Sequence, residues 1–365
     1  MTDDAALLST LWHAGVNAVK GDAAVKAALP LPTPPTHIIA VGKAAAAMAA
    51  PAAAAYPDAP CLIVTKYDHA EGAPADATVI EAAHPTPDAA SLQAGQALLE
   101  AVAACGTQAH LLMLVSGGAS ALAEALPEGW DLAQLKAETQ RLLASGADIH
   151  AMNTRRKEIS RIKGGKLLAG FGGAQVTTLA ISDVEGDALG VIGSGIGEMG
   201  EGSNAAFTAQ IVASNAIARG AVAAAADLPI HTNEEALYAN VTELAPAIAQ
   251  KLRDMPPGLF VIGGEPTVLL PDAPGLGGRN MALGLMLARE LAGVEGLSVL
   301  VAGTDGTDGP TDAAGALITG ATWDPSGEDA LNRADAYPWL KAHGALFTTG
   351  PTGTNVMDLL LAIKR

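Results

Sequence analysis

The chain has 365 residues, 50% of them hydrophobic and only 16% charged, which supplies ample apolar material for burial and excludes intrinsic disorder. At about 150 residues per domain, that length points to two domains. Lysine and arginine number 21 against 38 acidic residues, a formal charge of −17, which excludes a general nucleic-acid or anionic-membrane binder because such binding rests on surplus cations.

The opening MTDDAALLSTLWHAGVNAVK is acidic at its start and lacks the basic-then-apolar order of a signal peptide. Apolar runs follow at HIIAV (37–41), CLIVTK (61–66), TVIEAA (78–83), HLLMLV (110–115), VTTLAIS (176–182), LFVIG (259–263) and LSVLVAG (297–303). Their hydrophobicity is continuous rather than alternating. This predicts strands buried on both faces, joined by the alanine-rich amphipathic segments as helical crossovers, an α/β fold throughout. KAAAAMAAPAAAAY is alanine interrupted by Pro51, too weakly hydrophobic to span a bilayer. Residues 227–258 carry little apolar-run character and end in Pro256-Pro257-Gly258, so the domain boundary is expected near their start, dividing 1–230 from 231–365. Cys61 and Cys105 can form neither a disulfide framework nor a zinc cluster and read as buried, reduced and inert. A soluble cytoplasmic protein is expected.

Nearly every apolar run is followed at once by glycine and small polar residues: VGKA, VSGGAS, SDVEGD, GGEPT, AGTDGTDG and TTGPTGTN. In open α/β sheets ligands bind beyond the carboxyl ends of the strands, so this recurrence favours a small-molecule site over a plain scaffold. In IIAVGKAAAAMA, Lys43 reads as the first turn of an alanine helix, where the dipole disfavours a cation unless an anion arrives; an exposed lysine at a helix start is the bland alternative. His37 stands where the first glycine of a Walker A loop would be, which excludes that loop. Ser116-Gly117-Gly118-Ala119-Ser120 lets backbone amides approach phosphate or carboxylate oxygens, or makes a tight turn.

Six of the 21 basic residues fall within 155–166: Arg155, Arg156, Lys157, Arg161, Lys163 and Lys166. On a helix, Arg156, Ser160 and Lys163 share one face while Ile159 and Ile162 anchor another, until Gly164-Gly165 break or reorient it. Part of this charge is a solvated face, and without interleaved aromatic residues a nucleic-acid patch is not expected. Asp183 and Asp187, beyond a buried run, suit Mg²⁺ through one or two oxygens or a general base for a hydroxyl; solvated or capping acids look the same. Arg279 follows Gly277-Gly278 and offers a rigid fork to an anion. Asp305 and Asp308 lie in a loop where Thr307 and Gly309 break calcium-loop spacing. Gly195, Gly197 and Gly200 satisfy G-x-G-x-x-G without following a strand or preceding a ribose-binding acid. The histidines show no metal-ligand spacing, and His84 in AAHPTPD reads as a structural hydrogen-bonder. Neither Ser116 nor Ser120 sits in a nucleophile elbow.

In order, VGKAAAAMA, VTKYDHA, EAAHPTPDAAS, LVSGGASAL, GADIHAMNTRRKEISRIKGGKLLAGF, ISDVEGDALGVIGSG, GGEPTV, GLGGRN, GTDGTDGPTDAAGA and TGPTGTNVMDL resemble the bacterial glycerate 2-kinase family over about residues 5–362. The resemblance implies a Rossmann-like glycerate-kinase domain with a parallel sheet and helices on both faces, then a smaller α/β MOFRL domain with a mixed sheet. It implies phosphorylation of D-glycerate at its 2-hydroxyl by Mg-ATP in the cleft between the domains, by a monomer or homodimer. Its key lysine and arginine fall on Lys43 and Arg279. With Asp183 these are the expected catalytic residues, and Asp183 and Asp187 the expected metal ligands. Ser116, Gly117, Gly118, Ser120, Asn153, Arg156, Lys163, Glu265, Asn280, Asp305 and Asn355 are the expected substrate and phosphate contacts. Relatives are also labelled hydroxypyruvate reductases, and a reductase using NAD(P)H or a non-catalytic sugar-acid binder are the competing readings. Many relatives read Ser-Gly-Pro-Thr where this chain has Ser194-Gly195-Ile196-Gly197, a softer turn.

Overall fold

A computed structural model describes residues 3–144 and 149–365; residues 145–148, which include the first three of the GADIHAMNTRR motif, lie outside the described residues. The chain forms two compact units, Lys20–Ser214 and a second made of Asn215–Arg365 with the N-terminal segment ending at Val19.

The unit Lys20–Ser214 carries β1 (His37–Val41), β2 (Cys61–Lys66), β3 (Thr78–Ala82), β4 (His110–Val115), β5 (Gln175–Ile181) and β6 (Ala206–Ala213). They form one sheet in the order β3-β2-β1-β4-β5-β6, parallel at every pairing. All six residues of HLLMLV in β4 are buried, as a central strand covered on both faces requires. One face packs Ile39, Val41, Met113 and Val115 against Leu98, Val102, Leu167 and Leu168. Helix Ala45–Ala55 packs on β1 and β2. The run TVIEAA, expected to be buried on both faces, is instead the edge strand β3, with Thr78 and Val79 exposed. Asp88 then starts helix Ala89–Ala103 with a reciprocal capping box to Ser91. The strand order reverses direction between β1 and β4, and the loops leaving those two strands meet at that switch point.

The second unit carries β7 (Ile230–Leu237), β8 (Gly258–Gly264), β9 (Leu297–Gly303), β10 (Gly315–Thr319), β11 (Leu346–Phe347) and β12 (Asp358–Lys364). Their order is β11-β10-β9-β12-β8-β7. Only β7 and β8 run parallel, so the sheet is mixed. Residues 227–258 hold no linker: they supply edge strand β7 and helix Val241–Asp254, capped by the Asn240 side chain. Lys20–Ser214 ends where the second unit resumes, at Asn215. Asn215 Nδ2 donates to the carbonyls of Val356 and Asp358, each at 3.0 Å. The N-terminal helix Asp3–Ala18 packs on helix Asn215–Ala225, β9 and β12, burying Leu8, Leu11, Trp12 and Val16. Among the described residues no helix is long and apolar enough to cross a membrane.

Candidate active site

The switch-point loops of the first unit are tied to each other by backbone. Lys43 N donates to the Gly117 carbonyl at 2.9 Å, and Ala44 N donates to Ser116 Oγ at 3.1 Å. Lys43 therefore sits in the turn before helix Ala45–Ala55, not in its first turn; the crossed loops delay helix entry. A Cβ on Gly117 would lie 2.0 Å from Asp183 Oδ2, so glycine is what admits that carboxylate. Gly118 has φ +84, and a Cβ there would meet Lys43 Cγ at 3.0 Å, Lys43 Cε at 3.1 Å and His84 Cδ2 at 3.3 Å. Side chains leaving β1, β3 and β5 thus converge on the loop leaving β4. Burial pushes the Asp183 carboxyl above the usual carboxylate range, with the Lys43 charge pulling the other way. His84 is driven down to about 4 by burial, then by the charges of Lys43, Lys66 and Arg156 and by His69.

Beside this loop, Ser120 Oγ lies 2.9 Å from Ser194 Oγ, and Ser194 Oγ donates to Asn153 Oδ1 at 2.9 Å. Arg156 Nη1 reaches the same Asn153 oxygen at 3.5 Å. Ser194 has φ 58. Asn153 Nδ2 and Asp187 Oδ1 are buried with no hydrogen-bond partner. Asp183 and Asp187 could each supply a carboxylate oxygen to a cation completed by substrate phosphates. Among the described residues no group of three or more His, Cys, Asp or Glu side chains is placed to form an all-protein cage.

The basic helix ends earlier than its periodicity predicts, at Glu158. Ser160 and Lys163 do not continue the Arg156 face. Ser160 Oγ accepts from the Ile162 and Lys163 amides and so closes a turn in place of the next helical bonds. Lys163 is withdrawn into the interior against the buried Glu124 carboxylate, so its charge is used within the protein rather than offered to a ligand. The glycines of G-x-G-x-x-G are spent on packing. A Cβ on Gly200 would lie 2.6 Å from the Gly165 carbonyl, and Gly165 N donates to the Gly195 carbonyl at 2.9 Å.

The second unit builds a separate polar cluster. Arg279 opens helix Arg279–Glu290 and grips buried Asp358 with two bonds, Nε to Oδ2 at 2.6 Å and Nη2 to Oδ1 at 3.1 Å. Its Nη1 lies 2.8 Å from Glu265. The guanidinium expected to await an anion is therefore already anchored, and these carboxylates hold it firmly charged. Asp308 caps the same helix, accepting from the Asn280 and Met281 amides at 3.2 and 2.7 Å. Burial pushes its carboxyl up to about 7. Asn280 is fully buried and its Oδ1 has no partner. Asp305 and Asn355 are occupied locally: Asp305 Oδ1 accepts from Thr307 N at 2.9 Å, and Asn355 Oδ1 from Met357 N at 3.0 Å. Sequence reasoning passed over Asp358, Glu124 and Ser194 as functional residues, and it read His84 as a structural hydrogen-bonder. The loops that stood out were the glycine-rich ones following apolar runs, whereas Asp358 opens an apolar strand and Glu124 sits in an alanine run.

Residues 7–225 match a family described as a domain of unknown function, DUF4147, and residues 258–358 match the MOFRL family. A D-glycerate 2-kinase of Thermotoga maritima is 36% identical, covering 95% of each chain. A protein of Agrobacterium vitis named "Putative hydroxypyruvate reductase" is 35% identical over 88% of this chain and 85% of its own. The crystal structure of a glycerate kinase from Thermotoga maritima superimposes with a TM-score of 0.91 at 33% identity, covering 100% of both chains.

Proposed function

This chain belongs to the glycerate kinase family that joins a DUF4147 domain to a MOFRL domain, and from that premise we propose that it transfers the γ-phosphoryl group of Mg-ATP to the 2-hydroxyl of D-glycerate, giving 2-phosphoglycerate. The observation that carries this reading is the convergence on Gly117-Gly118 of a lysine, an imidazole and a carboxylate from three different strand ends. Phosphoryl transfer asks little covalent chemistry of a protein; it asks for alignment and for positive charge on the transferring oxygens. The ammonium groups of Lys43 and Lys66 make no hydrogen bond or ion pair among the described residues, in a chain whose net charge is −17. Such unpaired cations suit a polyphosphate. Asp183 would accept the hydroxyl proton or, with Asp187, hold the magnesium that offsets phosphate charge. Arg279, fixed by Asp358 and Glu265, is assigned to the same reaction through the N–H groups that those carboxylates leave free.

The test incubates the purified chain with D-glycerate and Mg-ATP and couples the product to enolase. Signal without phosphoglycerate mutase is expected, since enolase consumes the 2-phosphate. Signal only with the mutase would move the transfer to the 3-hydroxyl. Oxidation of NADH or NADPH by hydroxypyruvate, with no ADP formed from glycerate, would replace the kinase by a reductase.

A further inference from the structure

His84 leaves the edge strand β3 at the carboxyl end of the parallel sheet, two residues beyond Ala82. Its ring reaches the same point above Gly118 as the Lys43 stem. The groups that face it electrostatically are Lys43, Lys66, Arg156 and His69. The nearby carboxylates, Asp183 and Glu124, act on Lys43 and Arg156 rather than on the ring. Neither ring nitrogen has a hydrogen-bond partner among the described residues, although the residue is half-buried. A structural histidine would be tied to a backbone carbonyl, as His110 is to Pro34. His84 is not tied.

Burial first, and then the three cations, keep a positive charge off the ring, so the imidazole stays neutral, with one N–H donor and one free lone pair. A neutral donor among ammonium and guanidinium groups adds direction to anion binding without adding charge. Cations gathered near one ring repel one another, and an anion bound among them would offset that repulsion. We propose that His84 is a substrate-contacting residue, whose ring N–H, beside Lys43, Lys66 and Arg156, binds an oxygen of an anionic ligand. The shared chemistry is a phosphate or carboxylate oxygen: the polyphosphate of a nucleotide or the carboxylate of the hydroxy acid. The identity of those two ligands rests on the kinase reading above; the presence of an anion site does not.

The experiment measures binding rather than turnover. Calorimetric titrations of tripolyphosphate and of D-glycerate, in separate runs, are made on the unmodified chain, His84→Ala and His84→Gln, each checked by its thermal unfolding midpoint. Hydrogen bonds to a charged partner contribute enough for His84→Ala to weaken one ligand about tenfold or more. The other ligand should be little changed, and Gln, which keeps an N–H donor, should recover part of the loss. Loss confined to tripolyphosphate places His84 on the nucleotide, and loss confined to D-glycerate places it on the acceptor. A merely structural role would lower the unfolding midpoint and weaken both ligands, with no recovery by Gln. That result overturns the proposal, as do unchanged affinities for both ligands, or no binding of either by the unmodified chain. Should tripolyphosphate bind in the expected pattern while glycerate is not phosphorylated, the His84 assignment stands and the kinase reading falls.

Discussion

Lys163 and Glu124 allow the sharpest separation of structural from substrate-binding charge. Their side chains are only 3% and 1% exposed, and they pair directly. Glu124 also accepts from Ser160 Oγ at 2.5 Å and from Ala125 N at 3.0 Å. Lys163→Met leaves a carboxylate buried without its cation, and Glu124→Gln leaves an ammonium buried without its anion. Each should destabilise the Lys20–Ser214 unit by about 3–5 kcal/mol. In Glu124→Gln/Lys163→Met no charge remains, while the amide oxygen still accepts from Ser160 and Ala125, so the loss should shrink to ~1 kcal/mol. Urea unfolding followed by circular dichroism reads all three. With a slope of ~3 kcal/mol/M, each single variant should lose roughly 1 M or more in midpoint and the double variant much less. Turnover of the folded double variant should stay within a few-fold of the parent, because the pair touches no ligand. Single variants as stable as the parent, or a double variant as damaged as both singles combined, would refute the buried-pair argument. A large loss of turnover in a stable double variant would return Lys163 to the ligand.

Lys43→Ala and Arg279→Ala should each lower turnover about 10²–10³-fold if these cations stabilise the transferring phosphoryl group; near-normal turnover in a folded variant rejects that residue's role. Gly117→Ala should inactivate without unfolding, because the new methyl would stand 2.0 Å from Asp183 Oδ2 and overpacking of this kind costs ~1–3 kcal/mol. Normal kinetics in that variant would mean that the Asp183 position is immaterial. Asp308, with its carboxyl raised by burial to about 7 from an ordinary 3.8, contributes stability that is full below about pH 4 and lost as pH rises through about 7. Asp308→Asn should flatten the fall of the unfolding midpoint between those values, and an unchanged slope would show that this carboxyl does not titrate as described.

The central strands were legible because HIIAV, HLLMLV, LFVIG and LSVLVAG are continuous apolar runs, and continuous runs mean cover on both faces. TVIEAA has the same composition but lies at the edge, and composition cannot rank strands within a sheet. The strand DLLLAIK was missed although it lies between β8 and β9, since a terminal run with an acid at one end and a lysine at the other reads as amphipathic. Glycine after strand ends marked the right loops: Gly117 and Gly118 are where Asp183, Lys43 and His84 meet. What sequence spacing could not reveal is which charges are already satisfied. Lys163, Arg279 and Arg156 look alike in the chain. The first is buried on Glu124, the second is clamped by Asp358, and the third touches only an amide oxygen. Helix Ile149–Glu158 ends early because the Ser160 hydroxyl captures amides that further helical turns would have used, a local competition invisible to periodicity.

The helix Asp3–Ala18 belongs with elements that the ribosome delivers only after the whole Lys20–Ser214 unit. Its apolar stripe of Leu8, Leu11, Trp12 and Val16 has no permanent mate until helix Asn215–Ala225, and then β9 and β12, have been made. Lys20–Ser214 can meanwhile complete its sheet from its own strands, as an insert folding ahead of its host. Nascent chains halted before residue 215 should therefore leave that stripe uncovered, and a fragment cut out at 215–365 should lack one wall of its core.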